Sequence, residues 1–419
     1  MNSHQKYSTE KIVFVIFAIS IYMLRGYCFL RWETYNNKFI SALAELLYYI
    51  GALILVGYTL VKRKSGVRLK KRSAQMLLFA IILTLYLAFC NTQYRSLEYS
   101  DIELIALLLA FCIMTDDGKA TLFEYVVKAF VIMVLPSMIY YLLESIGINF
   151  AIGTILPEHA QKLRLGIYYS HYPLGLIYKQ SGWINRFCGI FDEAGFVGTL
   201  CAMFLAIGYK RLDKKWLIIL ALEGVLSFSM AFYALTIVFV IARAWTKGLY
   251  KIVGILLVLI VALLIFVNVD FHNESIAHIQ SRIDLSSWFL IKDNRTSDIV
   301  DAQIDSFIQQ GGNRFIFGNG RGASTAELRG SSYKFLLYDY GLIGIVLYIG
   351  FFLVYAWKEK RLNKDTIPFL TVFLASIYQR PFVYNKFFLT IFILGLSYIM
   401  CNQESANSHF GKKSIENRS

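Results

Sequence analysis

The sequence predicts an all-α fold: a polytopic integral membrane protein of about twelve transmembrane helices with two large outer (periplasmic or extracellular) loops. Three observations predict it. Of the 419 residues, 57% are apolar, and the mean hydropathy is +0.53, far above the soluble norm. Apolar runs near the length that crosses hydrocarbon recur from end to end. Between them, Lys and Arg collect in clusters of the kind that orient membrane proteins.

In chain order, the first run, Ile12–Cys28, follows a lysine or two and carries no small-residue cleavage signal, so it reads as a retained first helix. Phe39–Val61 and Ala74–Asn91 flank the densest cluster, Lys62, Arg63, Lys64, Arg68, Lys70, Lys71 and Arg72, which marks a cytoplasmic loop. Ile102–Thr115 and Tyr125–Gly147 follow. Gly195–Tyr209 leads to a second basic cluster, Lys210, Arg211, Lys214 and Lys215. Trp216–Ser229 and Met230–Ala242 are short enough to be either two spans or one long helix with a re-entrant turn, and Arg243, Lys247 and Lys251 come next. Ile252–Val267 precedes a long polar stretch. Lys334–Trp357 ends at Lys358, Lys360, Arg361 and Lys364, after which Thr366–Tyr378 and Phe387–Cys401 lead to Lys412, Lys413 and Arg418.

A cytoplasmic start and about twelve crossings place every one of these clusters, and both termini, in the cytoplasm. The whole chain, 1–419, is then one membrane domain with outer loops at 148–194 and 268–333. Function is expected in those loops. The formal charge of +14 would suggest nucleic acid in a soluble protein, but the inside-positive pattern accounts for it and no nucleic-acid partner is expected. Five of the six cysteines lie in or beside apolar runs and only Cys188 in a polar loop, so no disulfide framework follows. His171 and His272 are isolated, and no metal-ligand spacing appears. The tripeptides 273–275 and 294–296 match the N-glycosylation pattern, which three residues meet by chance.

The long loops break the charge trend. Lys162, Arg164, Lys179 and Arg186 lie in the first; Arg282, Lys292, Arg295, Arg314, Arg321 and Arg329 in the second. Long loops translocate regardless of charge, so an outer basic surface calls for a ligand, and guanidinium groups grip phosphate oxygens in a bidentate fork. The alternative for any one arginine is a loop carboxylate or a lipid headgroup. Asp192 and Glu193 stand at the start of a helix, where capping or orienting Arg186 are both open to them. Thr296-Ser297-Asp298 signals a helix start, with Val300, Ile304, Phe307 and Ile308 at helical spacing before Gly311-Gly312. This predicts an amphipathic outer helix led by Arg295. A glycine-rich turn, Asn313 to Gly322, follows. Asp339, Glu223, Glu45 and Lys128 fall at membrane depth, where pairing is expected.

These residues resemble the Wzy-type O-antigen polymerases, whose relatives include the O-antigen ligases. The resemblance spans nearly the whole chain: the helix number, Arg186 to Gly195 entering a helix, the Leu226-Ser227-Phe228-Ser229 turn, then Arg295 with its helix, Phe317-Gly318-Asn319-Gly320, and Tyr333 to Gly344 with Gly341-Leu342-Ile343-Gly344 opening a span. It implies a bacterial inner-membrane inverting glycosyltransferase. Such an enzyme transfers a growing glycan from undecaprenyl diphosphate to an incoming lipid-linked repeat unit, for O-antigen, capsule or exopolysaccharide, without nucleotide sugar, metal or other cofactor. Membrane lipid and a chain-length regulator are the further partners it suggests. The resemblance assigns Arg186 and Arg295 to the donor diphosphate, with Arg164 as a third choice; Arg314 and Arg321 are further candidates for binding it, and Glu193 is the outer-facing carboxylate expected to take a proton. Two departures stand out. The His-Asn pair of the ligases is replaced by Gly330-Ser331, and the proline usual after Glu193 by Ala194. A flippase or other multi-span transporter, or a ligase, remains the alternative.

Overall fold

A computed structural model describes residues 3–23, 28–32, 38–63, 71–90, 97–157, 160–164, 166–181, 184–248, scattered positions between 254 and 280, 298–328, 332–359 and 361–416, the last without side chains after 401. The predicted span Ile252–Val267 lies largely outside these residues. Arg295, Arg282, Lys292, Arg329, His272, Gly330-Ser331 and both glycosylation tripeptides lie wholly outside them.

The described chain is mostly helical. It runs through α1 (Ser3–Ser20), α2 (Lys38–Arg63), α3 (Lys71–Phe89), α4 (Tyr99–Ile113) and α5 (Asp116–Ser145), then the strands β1 (Gly153–Ile155), β2 (Tyr168–Tyr172), β3 (Gly175–Lys179) and β4 (Arg186–Gly189), with α6 (Ala160–Arg164) between the first two. It continues with α7 (Ala194–Gly208), α8 (Lys214–Leu226), α9 (Met230–Trp245), α10 (Asp298–Gln310), α11 (Gly312–Phe317), α12 (Ala323–Glu327), α13 (Lys334–Lys358), α14 (Thr366–Gln379) and α15 (Lys386–Glu416). Four helices, within α2, α3, α5 and α13, are long and apolar enough to cross a membrane, and α7, α9, α14 and the start of α15 are shorter apolar helices. Their outward faces carry side chains such as Leu53, Leu78, Ile82 and Val346, all more than half exposed. An apolar belt of this kind belongs against lipid, and the helices have the make-up of a multi-pass membrane protein.

Several boundaries differ from the sequence expectation for local reasons. The first helix ends at Ser20, whose hydroxyl turns back to the Phe17 carbonyl, and a 3-10 turn at Ile21–Met23 follows. Helix α5 starts nine residues before Tyr125, at Asp116, because Thr115 is its N-cap and accepts from the Gly118 amide at 3.2 Å. The expected glycine-rich turn after Gly311 is instead one short helix, α11, followed by the turn at 318–322. Helix α10 forms as expected and turns Val300, Ile304 and Phe307 inward, while Ile308 stays 43% exposed.

The larger correction concerns the segment 148–194, expected as the first outer loop. It is not all-α: β1 to β4 form an antiparallel meander in sequence order. The strands are short and Tyr168–Lys179 shows no clean period-two pattern, so the sheet rests on contacts outside its own sequence. Ser137 on α5 fastens the sheet, donating to the Leu176 carbonyl at 2.9 Å and accepting from the Gly189 amide at 3.2 Å. A Cβ at Gly175 would stand 2.6 Å from that of Ser137, so glycine is what lets the strand come this close. Further out, Tyr140 stacks on Tyr172 with ring centroids 4.7 Å apart, and Glu144 accepts from the Tyr172 hydroxyl at 2.8 Å and pairs with Lys179.

The ionic contacts gather at two ends of the bundle. At one, Lys62 meets Glu10, Arg361 meets Asp116 and Glu359, and Arg243 and Lys210 meet Asp365. At the other, Arg31 meets Glu45, Arg321 meets Asp101, Lys386 meets Glu103, Lys162 meets Asp192 and Arg380 meets Glu193. The sheet and the short helices α10 to α12 sit at this second end.

Candidate functional site

Strand β4, helix α6, the start of α7 and the connection after α14 converge at the second end, and each delivers a charged residue for a local reason. Helix α6 carries Lys162 to Asp192, with Nζ 2.9 Å from Oδ2 and 3.1 Å from the Asp192 carbonyl. The Tyr169 hydroxyl on β2 donates to the same carbonyl at 2.7 Å. Glu193 is the N-cap residue of α7, yet its side chain makes no capping hydrogen bond. It reaches instead to Arg380 Nη2 at 2.9 Å and Lys162 Nζ at 3.5 Å. Arg380 leaves α14 just before Pro381, which cannot extend that helix, and its guanidinium lies 5.1 Å from the centroid of the Phe196 ring. Arg186 opens β4 and stacks over Tyr178 on the neighbouring strand, 4.5 Å from the ring centroid.

Arg186 differs from its neighbours in what holds it. Among the described residues no carboxylate pairs with it; its buried Nε, like that of Arg380, has no hydrogen-bond partner. Lys162 and Arg380 share two carboxylates and balance them, whereas the charge of Arg186, felt with that of Lys162 at Tyr178 and Cys188, has no carboxylate against it among the described residues. Burial is the largest cause of the titration shifts here. Burial and the adjacent Glu193 push the Asp192 carboxyl up against the pull of Lys162. Burial lowers the Lys162 ammonium, but Asp192 and Glu193 outweigh it and raise the group overall. Burial pushes the Cys188 thiol, expected in a polar loop but fully buried in β4, up to about 12, with Arg186 and Lys162 opposing. A partly desolvated guanidinium without a counter-ion is a receptor for an anion.

The remaining sequence candidates are spread out. Arg164, at the end of α6, and Arg314, on α11, are exposed. Arg314 lines a cavity of about 570 Å³ under α10, together with Asn319, Glu327 and Tyr338. Arg321 is held by both oxygens of Asp101, at 2.7 and 2.9 Å, at the start of α4. Thus Glu193 joins Lys162 and Arg380, Arg186 stands nearby on β4 against Tyr178, whose ring packs on that of Tyr169, and Arg164, Arg314 and Arg321 stand elsewhere on the same end.

Of the four groups expected to pair at depth, three do: Glu45 with Arg31, Lys128 with Glu124, and Asp339 with the amide and hydroxyl of Ser324 at 2.7 and 3.0 Å. Glu223 is fully buried, and among the described residues neither of its oxygens has a hydrogen-bond partner. The Asp339 contacts belong to a larger feature. Gly341 breaks the helical backbone of α13 with φ 66° and ψ −174°, and the Tyr86 hydroxyl donates to the Tyr340 carbonyl at 3.0 Å. Gly318 packs into the break: a Cβ there would lie 2.2 Å from the Asp339 carbonyl oxygen, and one on Gly341 would lie 2.4 Å from the Gly318 nitrogen. The Phe317–Gly320 segment and the Tyr333–Gly344 segment, read separately in the sequence, are therefore one backbone-to-backbone joint.

Arg380 is the residue that sequence reasoning missed, along with Arg31 and Lys386. The available signal was a cation in a short connection on the side expected to face away from the cytoplasm, where the inside-positive trend predicts none. The fold class is that of a mostly helical protein with membrane-length apolar helices. Compared with protein-family models, curated proteins and solved structures, the chain finds no match.

Proposed function

We propose that the chain is an inverting glycosyltransferase that polymerises undecaprenyl-diphosphate-linked oligosaccharide repeat units at the outer face of the bacterial inner membrane. About twelve spans and cytoplasmic termini complete the reading. In support, the clusters around Lys62, Lys210, Arg243 and Arg361 close one end of the bundle, as the inside-positive rule requires of a cytoplasmic end, and the candidate site lies at the other.

The observation that carries the proposal is Arg186: a guanidinium seated on Tyr178 with a buried, unpartnered Nε and no carboxylate partner among the described residues, sharing Tyr178 and Cys188 as neighbours with Lys162. The donor diphosphate binds there, with Arg295 and the exposed Arg164 and Arg314 as further contributors from the loops. The acceptor hydroxyl attacks the anomeric carbon, and the bond from that carbon to the phosphate oxygen breaks. The electron pair leaves on the diphosphate, where cations stabilise the growing charge. Glu193 takes the hydroxyl proton late in the step. No nucleotide sugar or metal has a part in this scheme, and a chain-length regulator is the protein partner it leaves room for.

The test is complementation of a polymerase-deficient strain, read as the glycan ladder on a gel. Arg186→Ala and Arg295→Ala are expected to leave single repeats on the final acceptor. Unchanged polymer in both would overturn the mechanism, as would cysteine labelling that placed positions 186 and 380 in the cytosol. A transporter would move the short unit unchanged across a reconstituted bilayer, and a ligase would leave nothing attached when lost.

A further inference from the structure

A second cavity, of about 610 Å³, opens between α2, α4, the kinked start of α13 and the connection leading into α15. Its lining has a different electrical character from the Arg186 site. The cations Arg31, Arg321 and Lys386 stand against the lining carboxylates Glu45, Glu98 and Asp101, three of each sign. Each cation is already engaged: Arg31 Nη2 lies 2.9 Å from Glu45, Arg321 grips both oxygens of Asp101, and Lys386 pairs with Glu103 behind the wall. With Glu103 included, the surroundings carry one surplus negative charge. Among the described residues a diphosphate meets no free cation here. Asp101 and Glu98 are also tied into the capping box of α4, so these carboxylates are fixed acceptors rather than mobile ones.

Between the ion pairs the wall is aromatic. Tyr340, Tyr348 and Tyr384 line the interior, and Tyr49 and Phe382 stand at the rim, 43% and 40% exposed. A concave, largely apolar surface with a few oriented donors and acceptors binds a compact polar ligand. Aromatic rings add a flat contact surface; the Tyr348 and Tyr384 hydroxyls are taken by the Pro381 and Ala80 carbonyls, so the hydrogen-bonding edge comes from the ion-paired carboxylates and guanidinium groups. A ligand that matches both, without charge of its own, has C–H faces and many hydroxyl groups.

We propose that this cavity binds an uncharged pyranoside unit of the incoming glycan, so that charge balance separates a neutral sugar subsite from the anion site at Arg186. Its role as acceptor subsite rests on the polymerase reading; the binding itself does not. Arg321 then orients hydroxyl groups as a partner of Asp101 instead of holding phosphate.

The test uses the full chain purified in a detergent without a sugar headgroup. Saturation-transfer NMR reports binding of a panel of neutral methyl pyranosides and of glucuronate, and a separate titration uses undecaprenyl diphosphate. At least one neutral pyranoside is expected to bind, and glucuronate more weakly. Tyr49→Ala and Phe382→Ala, at exposed rim positions that the fold does not need, are each expected to weaken that binding about fivefold or more. Asp101→Asn does so from inside. Tyr99→Ala, 89% exposed on the first turn of α4 but outside the cavity, leaves it intact. If no neutral pyranoside binds, if glucuronate binds better, or if the rim variants bind as wild type, the proposal is overturned. Undecaprenyl diphosphate binding alongside such a result leaves the polymerase reading standing. Pyranoside binding without diphosphate binding does the opposite, removing the polymerase reading and retaining the sugar cavity.

Discussion

Two sets of cations occupy the same end of the bundle, and what distinguishes them is the company each keeps. Around the 610 Å³ cavity, Arg31, Arg321 and Lys386 each have a carboxylate partner. At the junction of the sheet with α7, Lys162 and Arg380 divide Asp192 and Glu193 between them, and Arg186 rests on an aromatic ring. The number of arginines in a loop is therefore a poor guide to where an anion binds. A guanidinium already neutralised by a carboxylate at hydrogen-bond distance has little left to offer a phosphate, whereas one held by stacking keeps its full field.

The comparison is broken most severely at Lys162. Its ammonium is the near counter-ion of Asp192, which is only 6% exposed. Lys162→Ala leaves a buried carboxylate uncompensated and is expected to cost about 3–5 kcal/mol. Chemical denaturation of the detergent-solubilised protein measures it, and Lys162→Ala combined with Asp192→Asn recovers much of the loss. A loss below about 1 kcal/mol, the scale of an exposed ion pair, would show that Asp192 is solvated and the junction loosely built.

Function sharpens the contrast next. Arg186→Ala or Arg380→Ala is expected to lower polymerisation about 10²- to 10³-fold, the scale of removing one preorganised donor to developing charge. Arg321→Ala leaves diphosphate affinity near wild type and weakens sugar binding. Quantified ladders and undecaprenyl diphosphate titrations separate the two. Equal loss of diphosphate affinity in Arg186→Ala and Arg321→Ala would erase the distinction between the sites.

Backbone strain supplies a third test, on the cavity side alone. Gly341 holds φ 66° where α13 breaks, and an added Cβ meets the Gly318 nitrogen at 2.4 Å. Gly341→Ala is expected to cost about 1–3 kcal/mol and to weaken pyranoside binding through the displaced Tyr340, with diphosphate binding intact. Wild-type stability in this variant would mean that the joint between Gly318 and Gly341 is not formed.

Why some of this was legible in the sequence and some not follows from the range of the interactions. Helices α2, α3, α5 and α13 announce themselves because crossing hydrocarbon demands an uninterrupted apolar run. Helix α10 is visible through the spacing of Val300, Ile304 and Phe307, and the turn at Ser227–Ser229 through its place between two apolar runs. The sheet stayed hidden because its short strands depend on Ser137, 39 residues from Leu176, rather than on their own periodicity. Arg186 and Glu193 could be picked from their segment. Their partners could not, since Arg380 is 187 residues from Glu193 and Arg321 is 220 from Asp101. Pairing between such distant positions decides which cation is free, and local sequence carries no record of it.

The smallest expected effect concerns the sheet that supports the junction. His171 lies on β2 against the Phe29 ring, centroids 5.5 Å apart, and burial lowers its pKa below the ordinary 6.5. Well above pH 6.5 neither the folded nor the unfolded chain protonates this side chain appreciably, and its contribution is intact. As pH falls through that value the unfolded chain takes up the proton first, so stability declines until the lower folded value is passed. Denaturation midpoints of wild type and His171→Phe, measured between about pH 7.5 and about 5, should therefore diverge, with the wild type losing more on the acid side. Parallel curves would mean that His171 titrates alike in both states, and that the face of β2 turned toward Phe29 is open to water.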